Sequence, residues 1–255
     1  MDLRLNDKRV LVTGSTRGIG LAIARAFAAE GARVCFTGRQ PQSLAAVKDA
    51  LGRDAERHVF HGCDFEATAS VDGLAAALKR DWGGVDVVVA NAGTGKSVPE
   101  AMPSAADFAA SFAQNFQTAE NTVRSFLPLL EATKGSLVFV SSIAGVEAMG
   151  APTAYAVAKT AMLALAKNLS RKVAPHVRVN TVAPGNIWFE GGSWDDKRKT
   201  DPSRVQAMLD TVVPLRRFGA PEEIAAACAF LASPLSAFTT GATLVVDGGQ
   251  TTHLF

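Results

Sequence analysis

Phenols are almost missing from this chain: 255 residues include a single tyrosine, Tyr155, so any phenolic acid–base chemistry falls on that residue. Cysteine is sparse as well. Cys35, Cys63 and Cys228 are scattered with no CxxC spacing, a pattern of buried free thiols and not of a disulfide framework or a thiolate zinc site. The four histidines offer no metal set. His58 and His61 fall three apart on an expected strand and so face opposite sides, and His253 lies in the tail as a surface or interface residue. A net charge of +2 is too small to favour nucleic acid or an anionic membrane surface. No apolar run is long enough to span a bilayer. The N-terminal Met1-Asp-Leu-Arg-Leu-Asn-Asp-Lys-Arg9 carries charge where a signal peptide needs its apolar region. These absences lead us to expect a soluble, cytoplasmic chain without a metal.

The hydrophobic content is 48%, enough for a sizeable core. Apolar runs bounded by glycine alternate with helical spacing along the whole length. Strands are expected at 9–13, 33–37, 57–62, 85–90, 136–140, 177–182 and 242–246. Helices are expected at 19–30, 42–51, 67–82, 104–133, 152–173 and 221–231, and residues 187–213 read as irregular. Strands alternating with helices predict an α/β, doubly wound parallel sheet (a Rossmann fold) of about seven strands with helices on both faces. No linker composition interrupts it, so residues 1–255 read as one domain. Phe108, Phe112 and Phe116, four apart in the long helix, read as core packing.

Two stretches carry chemistry. The first strand runs into Thr13-Gly14-Ser15-Thr16-Arg17-Gly18-Ile19-Gly20 and then a helix, the context in which a dinucleotide pyrophosphate approaches backbone amides and a helix N-terminus. A sheet that binds NAD commonly ends its second strand with a carboxylate for the ribose 2′-hydroxyl. Here Gly38 stands there, followed by Arg39, and a guanidinium suits a 2′-phosphate. Arg17 could reach the same phosphate from the other side. The cofactor reading is therefore NADP(H), with NAD as the alternative. The second stretch pairs Tyr155 with Lys159 one helical turn later, an ammonium expected to pull the phenol below its usual range.

Taken in order, Thr13–Gly20, Asn91-Ala92-Gly93, Asn115, Ser142, Tyr155 with Lys159, Pro184-Gly185 and Val246-Asp-Gly-Gly249 resemble the short-chain dehydrogenase/reductase family over essentially the whole length. The resemblance implies that Tyr155 is the general acid or base and that Lys159 tunes it and hydrogen-bonds the nicotinamide ribose. It gives Ser142 the substrate oxygen and Asn115 a water that relays protons from Lys159 to solvent. Asp64 resembles the adenine-contacting aspartate, with a helix N-cap as the equal alternative. Asn91, Ala92 and Gly93 resemble the segment along the adenosine ribose, or form a structural turn. Pro184, Gly185 and Ile187 resemble the nicotinamide clamp. One departure stands out: the family usually has threonine where this chain has Phe189.

The resemblance also implies that residues 186–213 cover the substrate. Trp188, Phe189 and Trp194 there favour an apolar carbonyl, or else pin the segment to the core. The helix carrying Tyr155 is apolar around its circumference, so a second subunit is expected on it, in a homotetramer as the family commonly forms. Two other classes share these motifs: a 3-oxoacyl-[acyl-carrier-protein] reductase, and a non-catalytic NADP-binding regulator, against which the intact Asn-Ser-Tyr-Lys set argues.

Overall fold

The computed structural model describes residues 2–253. Seven strands form one all-parallel sheet in the order β3-β2-β1-β4-β5-β6-β7. They are β1 (Arg9–Val12), β2 (Arg33–Gly38), β3 (Val59–Gly62), β4 (Val87–Ala90), β5 (Ser136–Val140), β6 (Arg178–Pro184) and β7 (Thr243–Val246). The strand order reverses between β1 and β4, and the crevice beyond the carboxyl ends of those strands is where doubly wound sheets bind ligands.

Alternation along the central strands decides what each face holds. Val10, Val12, Val87, Val89, Val138 and Val140 pack beneath α1 (Gly18–Ala29), α2 (Pro41–Leu51) and α9 (Pro221–Ala232). Leu11, Val88, Leu137 and Phe139 face α3 (Thr68–Trp82), α5 (Thr118–Thr133) and α6 (Thr153–Lys172). Both faces are covered, which is why these strands are continuously apolar. The edge next to β7 is fastened by Arg178. Its guanidinium donates to the carbonyls of Leu231, Ala232 and Ser233 at the end of α9, and to Ser236 and Thr239 beyond it, at 2.8–3.2 Å. A cation set on unpaired C-terminal carbonyls is favourable for the helix as well as for the sheet.

The structure departs from the sequence pattern in three places. The expected helix 104–133 is two helices, α4 (Ala105–Phe112) and α5, joined by a π-helical turn over Ala113–Gln117. Phe108, Phe112 and Phe116 run four apart into this turn, so the apolar spacing gives no sign of it. Residues 187–213 are largely helical: α7 (Ser193–Thr200) and α8 (Pro202–Val212). Their charge hid the periodicity in α7, while Asp201 caps α8 through Arg204 N and Pro202 opens it. The phenylalanine stripe is core only at its end, where Phe116 packs against the core beneath α3, α5 and α6. Phe108, Phe112 and Phe116 are all half-buried, with the last two rings 4.8 Å apart.

Among the described residues, no helix is long and apolar enough to cross a membrane. No group of three or more His, Cys, Asp or Glu side chains among them gathers into a metal site. All three cysteines are buried free thiols.

Candidate active site

The glycine loop is built for close backbone approach. A Cβ at position 20 would stand 2.2 Å from the Gly14 carbonyl oxygen, and Gly18 sits at φ +53°, a conformation other residues rarely adopt. Buried hydroxyls knit the loop to its neighbours. Thr37 Oγ1 donates to Val12 O and accepts from Gly14 N, and Ser15 Oγ donates to Val12 O while accepting from Thr37 N, all at 2.8–3.0 Å. Thr13 Oγ1 accepts from the amides of Asn91 and Ala92, and Asn91 Nδ2 donates back to Thr13 O and Gly14 O. Ser15 and Asn91 therefore shape the loop. Thr13 and Thr37 do the same and were not singled out from sequence, although a threonine closing a buried strand was the available signal.

The start of α1 fits an anionic ligand. Arg17 is its N-cap residue and makes no side-chain cap, and no acidic residue lies in the first turn, so free amides and the positive helix end are uncompensated. Ile19 follows in that first turn, half-buried against the core beneath. At the end of β2, a Cβ at position 38 would collide with the Thr16 methyl at 2.6 Å, which leaves no room for a carboxylate. Arg39 is 71% exposed and only loosely paired, 3.6 Å from Glu66. An exposed pair at that distance contributes little, so the guanidinium is available to a phosphate. Arg17 is engaged elsewhere, donating to Gly191 O at 2.9 Å, and does not meet Arg39. Asp64 is exposed and its Oδ1 accepts from Glu66 N. It is not a helix cap, since Ala67 holds that position for α3.

Around Tyr155 the expected groups converge. Asn115 is fully buried in the π turn, its Nδ2 donating to Ser111 O and its Oδ1 accepting from Thr94 N, both at 3.0 Å. Its Oδ1 and Lys159 Nζ both face Gly93. Lys159 Nζ donates to Val140 O at 3.2 Å and lies 5.7 Å from the centre of the Tyr155 ring. Ser142 caps the short turn Ile143–Gly145, its Oγ accepting from Ala144 N at 3.1 Å, and lies near enough to the Tyr155 hydroxyl to act on its ionisation. The turn presses on the helix: a Cβ at position 145 would lie 2.7 Å from the Lys159 carbonyl carbon, Thr160 Oγ1 donates to Gly145 O, and Ser141 Oγ donates to Lys159 O.

The electrostatics correct one expectation. Burial raises the Tyr155 phenol above its usual value, and Ser142 opposes that only in part. Lys159 does not depress it here, because burial also pushes the ammonium down, to about 8.

Pro184 is buried at the end of β6, and beyond it Gly185 and Asn186 are braced by Gln250, whose Oε1 accepts from Asn186 N at 2.7 Å. Ile187 is buried and pairs with Gly219. Phe189 has a definite place: its ring lies over Gly18, 2.6 Å from where a Cβ would be. Trp194 packs at a tilt against Phe218, ring centres 5.4 Å apart. Two of the three aromatics of this segment thus pin it down, and Trp188 is left 36% exposed. Lys96, in the loop after β4, and Asp196 of α7 form an exposed ion pair at 2.9 Å.

A family model described as enoyl-(acyl carrier protein) reductase matches residues 14–251. The chain is 35% identical over 254 residues to D-threitol dehydrogenase of Mycolicibacterium smegmatis, covering 98% of this chain and 95% of that protein. Among solved structures, L-sorbose reductase from Gluconobacter frateurii, complexed with NADPH and L-sorbose, superimposes with a TM-score of 0.93 at 28% identity, both chains being covered in full. A 7α-hydroxysteroid dehydrogenase complexed with NADH and 7-oxo glycochenodeoxycholic acid gives 0.88 at 30% identity, over 100% of this chain and 98% of that one.

A buried ammonium held near 8 costs stability. Its folded-state value lies below the ordinary 10.5, so the cost is fully present below pH 8, shrinks as pH rises and is gone above 10.5. The shift corresponds to roughly 3 kcal/mol, partly offset by the bond to Val140 O. Lys159→Met is therefore expected to raise the melting temperature at pH 7 by about 3–6 °C, with the gain fading between pH 8 and 10.5. Thermal melts across that range read it, and a variant less stable than the parent at pH 7 would refute it.

Proposed function

The chain belongs to the short-chain dehydrogenase/reductase family, and we propose from that premise that it is an NADP(H)-dependent oxidoreductase interconverting a carbonyl and a secondary alcohol. The observation that carries this reading is the convergence of Ser142, Tyr155 and Lys159 beside Gly93 and Asn115. Bound at the β1–β4 crevice, the nicotinamide would supply or accept the hydride. Tyr155 holds the proton for the substrate oxygen, and Ser142 orients that oxygen by a second hydrogen bond. Lys159, charged below pH 8, lies one turn along α6 and would hydrogen-bond the nicotinamide ribose. A water on the free lone pair of Asn115 Oδ1, beside Lys159, would complete a relay to solvent.

The cofactor contacts follow from the fold. Gly14 to Gly20 and the start of α1 would hold the pyrophosphate, with Asn91, Ala92 and Gly93 along the ribose and Asp64 exposed toward the adenine side. Pro184, Gly185 and Ile187 would flank the nicotinamide. Relatives of this fold are seen with NADPH or with NADH, so the choice rests on this chain's own Gly38 and Arg39. For the substrate, Trp188 supports an apolar ketone. The acyl carrier protein in the family description keeps a 3-oxoacyl-[acyl-carrier-protein] reductase as the second reading. Half-buried Phe108 and Phe112 on α4 beside α6, with Val157 of α6 exposed, support a homotetramer built across those helices.

Consumption of NADPH across a panel of cyclic and aryl ketones, sugars, and acyl-carrier thioesters tests the reaction. Tyr155→Phe is expected to lower turnover at least a hundredfold while leaving NADPH binding intact; full activity in that variant would sink the mechanism. Confinement of activity to sugars would remove the apolar preference, and preference for the acyl carrier would select the second reading. Arg39→Ala should raise the NADP Michaelis constant about tenfold or more and leave that for NAD nearly unchanged; equal effects on both would refute the phosphate contact. Light scattering should give four times the mass of one chain, and a monomer would exclude the assembly.

A further inference from the structure

The C-terminal tail makes polar contacts on both walls of the site. After β7 the chain turns at Asp247, whose carboxylate accepts from Gly249 N, Thr251 N and Thr251 Oγ1 at 2.7–2.9 Å. Gln250, buried, then braces Asn186 where the chain leaves β6. Two residues on, both Glu147 oxygens are taken by the tail: Thr252 N donates at 2.8 Å and Thr252 Oγ1 at 2.6 Å, with His253 Nδ1 at 3.3 Å. Glu147 lies five residues past Ser142, in the loop that leads to Tyr155. The tail thus runs from the end of β6 to the loop that joins Ser142 to Tyr155.

A chance surface ion pair has a different look. An exposed pair contributes little and tolerates many geometries, whereas here a backbone amide and a hydroxyl meet one carboxylate at short range across 105 residues of sequence. The amides of Val146 and Glu147 both donate to Ile143 O at 2.9 Å, but from there to Pro152 the loop has no regular structure of its own, and the tail supplies the anchor for the Glu147 side chain. These hydrogen bonds hold the Glu147 carboxyl down at about 2, and it stays ionised at any working pH.

We propose that Glu147 is a positioning residue that fastens the tail across the substrate mouth, making Thr252 and His253 part of the wall against which the carbonyl substrate packs. The inference rests on the carbonyl–alcohol reading above. Its consequence for specificity is direct. With both oxygens taken by the tail, Glu147 offers little to a substrate rich in hydroxyls, and the mouth presents the Thr252 methyl and the His253 ring instead.

Steady-state kinetics on the intact chain, together with amide hydrogen exchange, test the strap. Loss of hydrogen bonds to a charged group predicts that Glu147→Ala raises the substrate Michaelis constant about tenfold, with kcat within about threefold and NADPH affinity unchanged. Glu147→Gln, which keeps an acceptor for the Thr252 amide, should recover most of the loss. Thr252→Val should act in the same direction and add little when combined with Glu147→Ala, since both undo one clasp. The Thr252 amide should exchange faster in Glu147→Ala than in the parent. An unchanged Michaelis constant, a parallel collapse of kcat, or effects that multiply in the double variant would each overturn the proposal. If no carbonyl is turned over, the reaction itself fails and the affinity claim with it, while exchange at Thr252 still decides whether the clasp exists.

Discussion

One contact governs the geometry of the whole centre: the backbone of Gly145 against the backbone of Lys159. A side chain at 145 would overlap the Lys159 carbonyl carbon, so the turn after β5 and the helix α6 can seat only at this spacing. Ser141 and Thr160 fasten the contact from either side. Because Ser142 opens that turn and Tyr155 lies one helical turn before Lys159, their mutual placement is inherited from backbone packing. Loop flexibility does not enter into it. Arrangements held this way need no reorganisation when charge develops, which is where most electrostatic catalysis originates.

The same packing creates an opposing constraint. Removing water from Tyr155 and Lys159 disfavours the charged form of each, so the phenol moves up and the ammonium down. Sequence spacing alone suggested the reverse for Tyr155, since a cation one turn away lowers a phenol when solvent and burial are left out. The depth of the helix in the fold decides which influence wins, and depth is a tertiary property. Other features were hidden for related reasons. The π turn at Asn115 leaves the apolar stripe intact, and α7 is nearly all charged, so neither gives a periodicity to read. The phenylalanine stripe is real, but only Phe116 reaches the core, while Phe108 and Phe112 stay half-buried outside it.

Much else was legible because the backbone itself demanded particular residues. Glycines at 14, 18 and 20 between a buried strand and a helix mark the loop, and glycine at 38 answers to the Thr16 methyl that fills the space above β2. The strand alternation that builds the two cores is visible as continuous apolar runs. Contacts set by distant segments were not legible: Phe189 over Gly18, Gln250 on Asn186 and Thr252 on Glu147 each join residues at least 60 positions apart. No local pattern announces such pairings.

The scarcity of phenols has a practical side. Tyr155 is the one tyrosine in the chain, and its ring is packed at the centre of the site. Ultraviolet absorbance of phenolate in the whole protein is therefore the absorbance of that single group, free of any background from other tyrosines. The ionisation state of the central residue can be watched in the unmodified protein, without label or substitution, while pH, cofactor or substrate is varied.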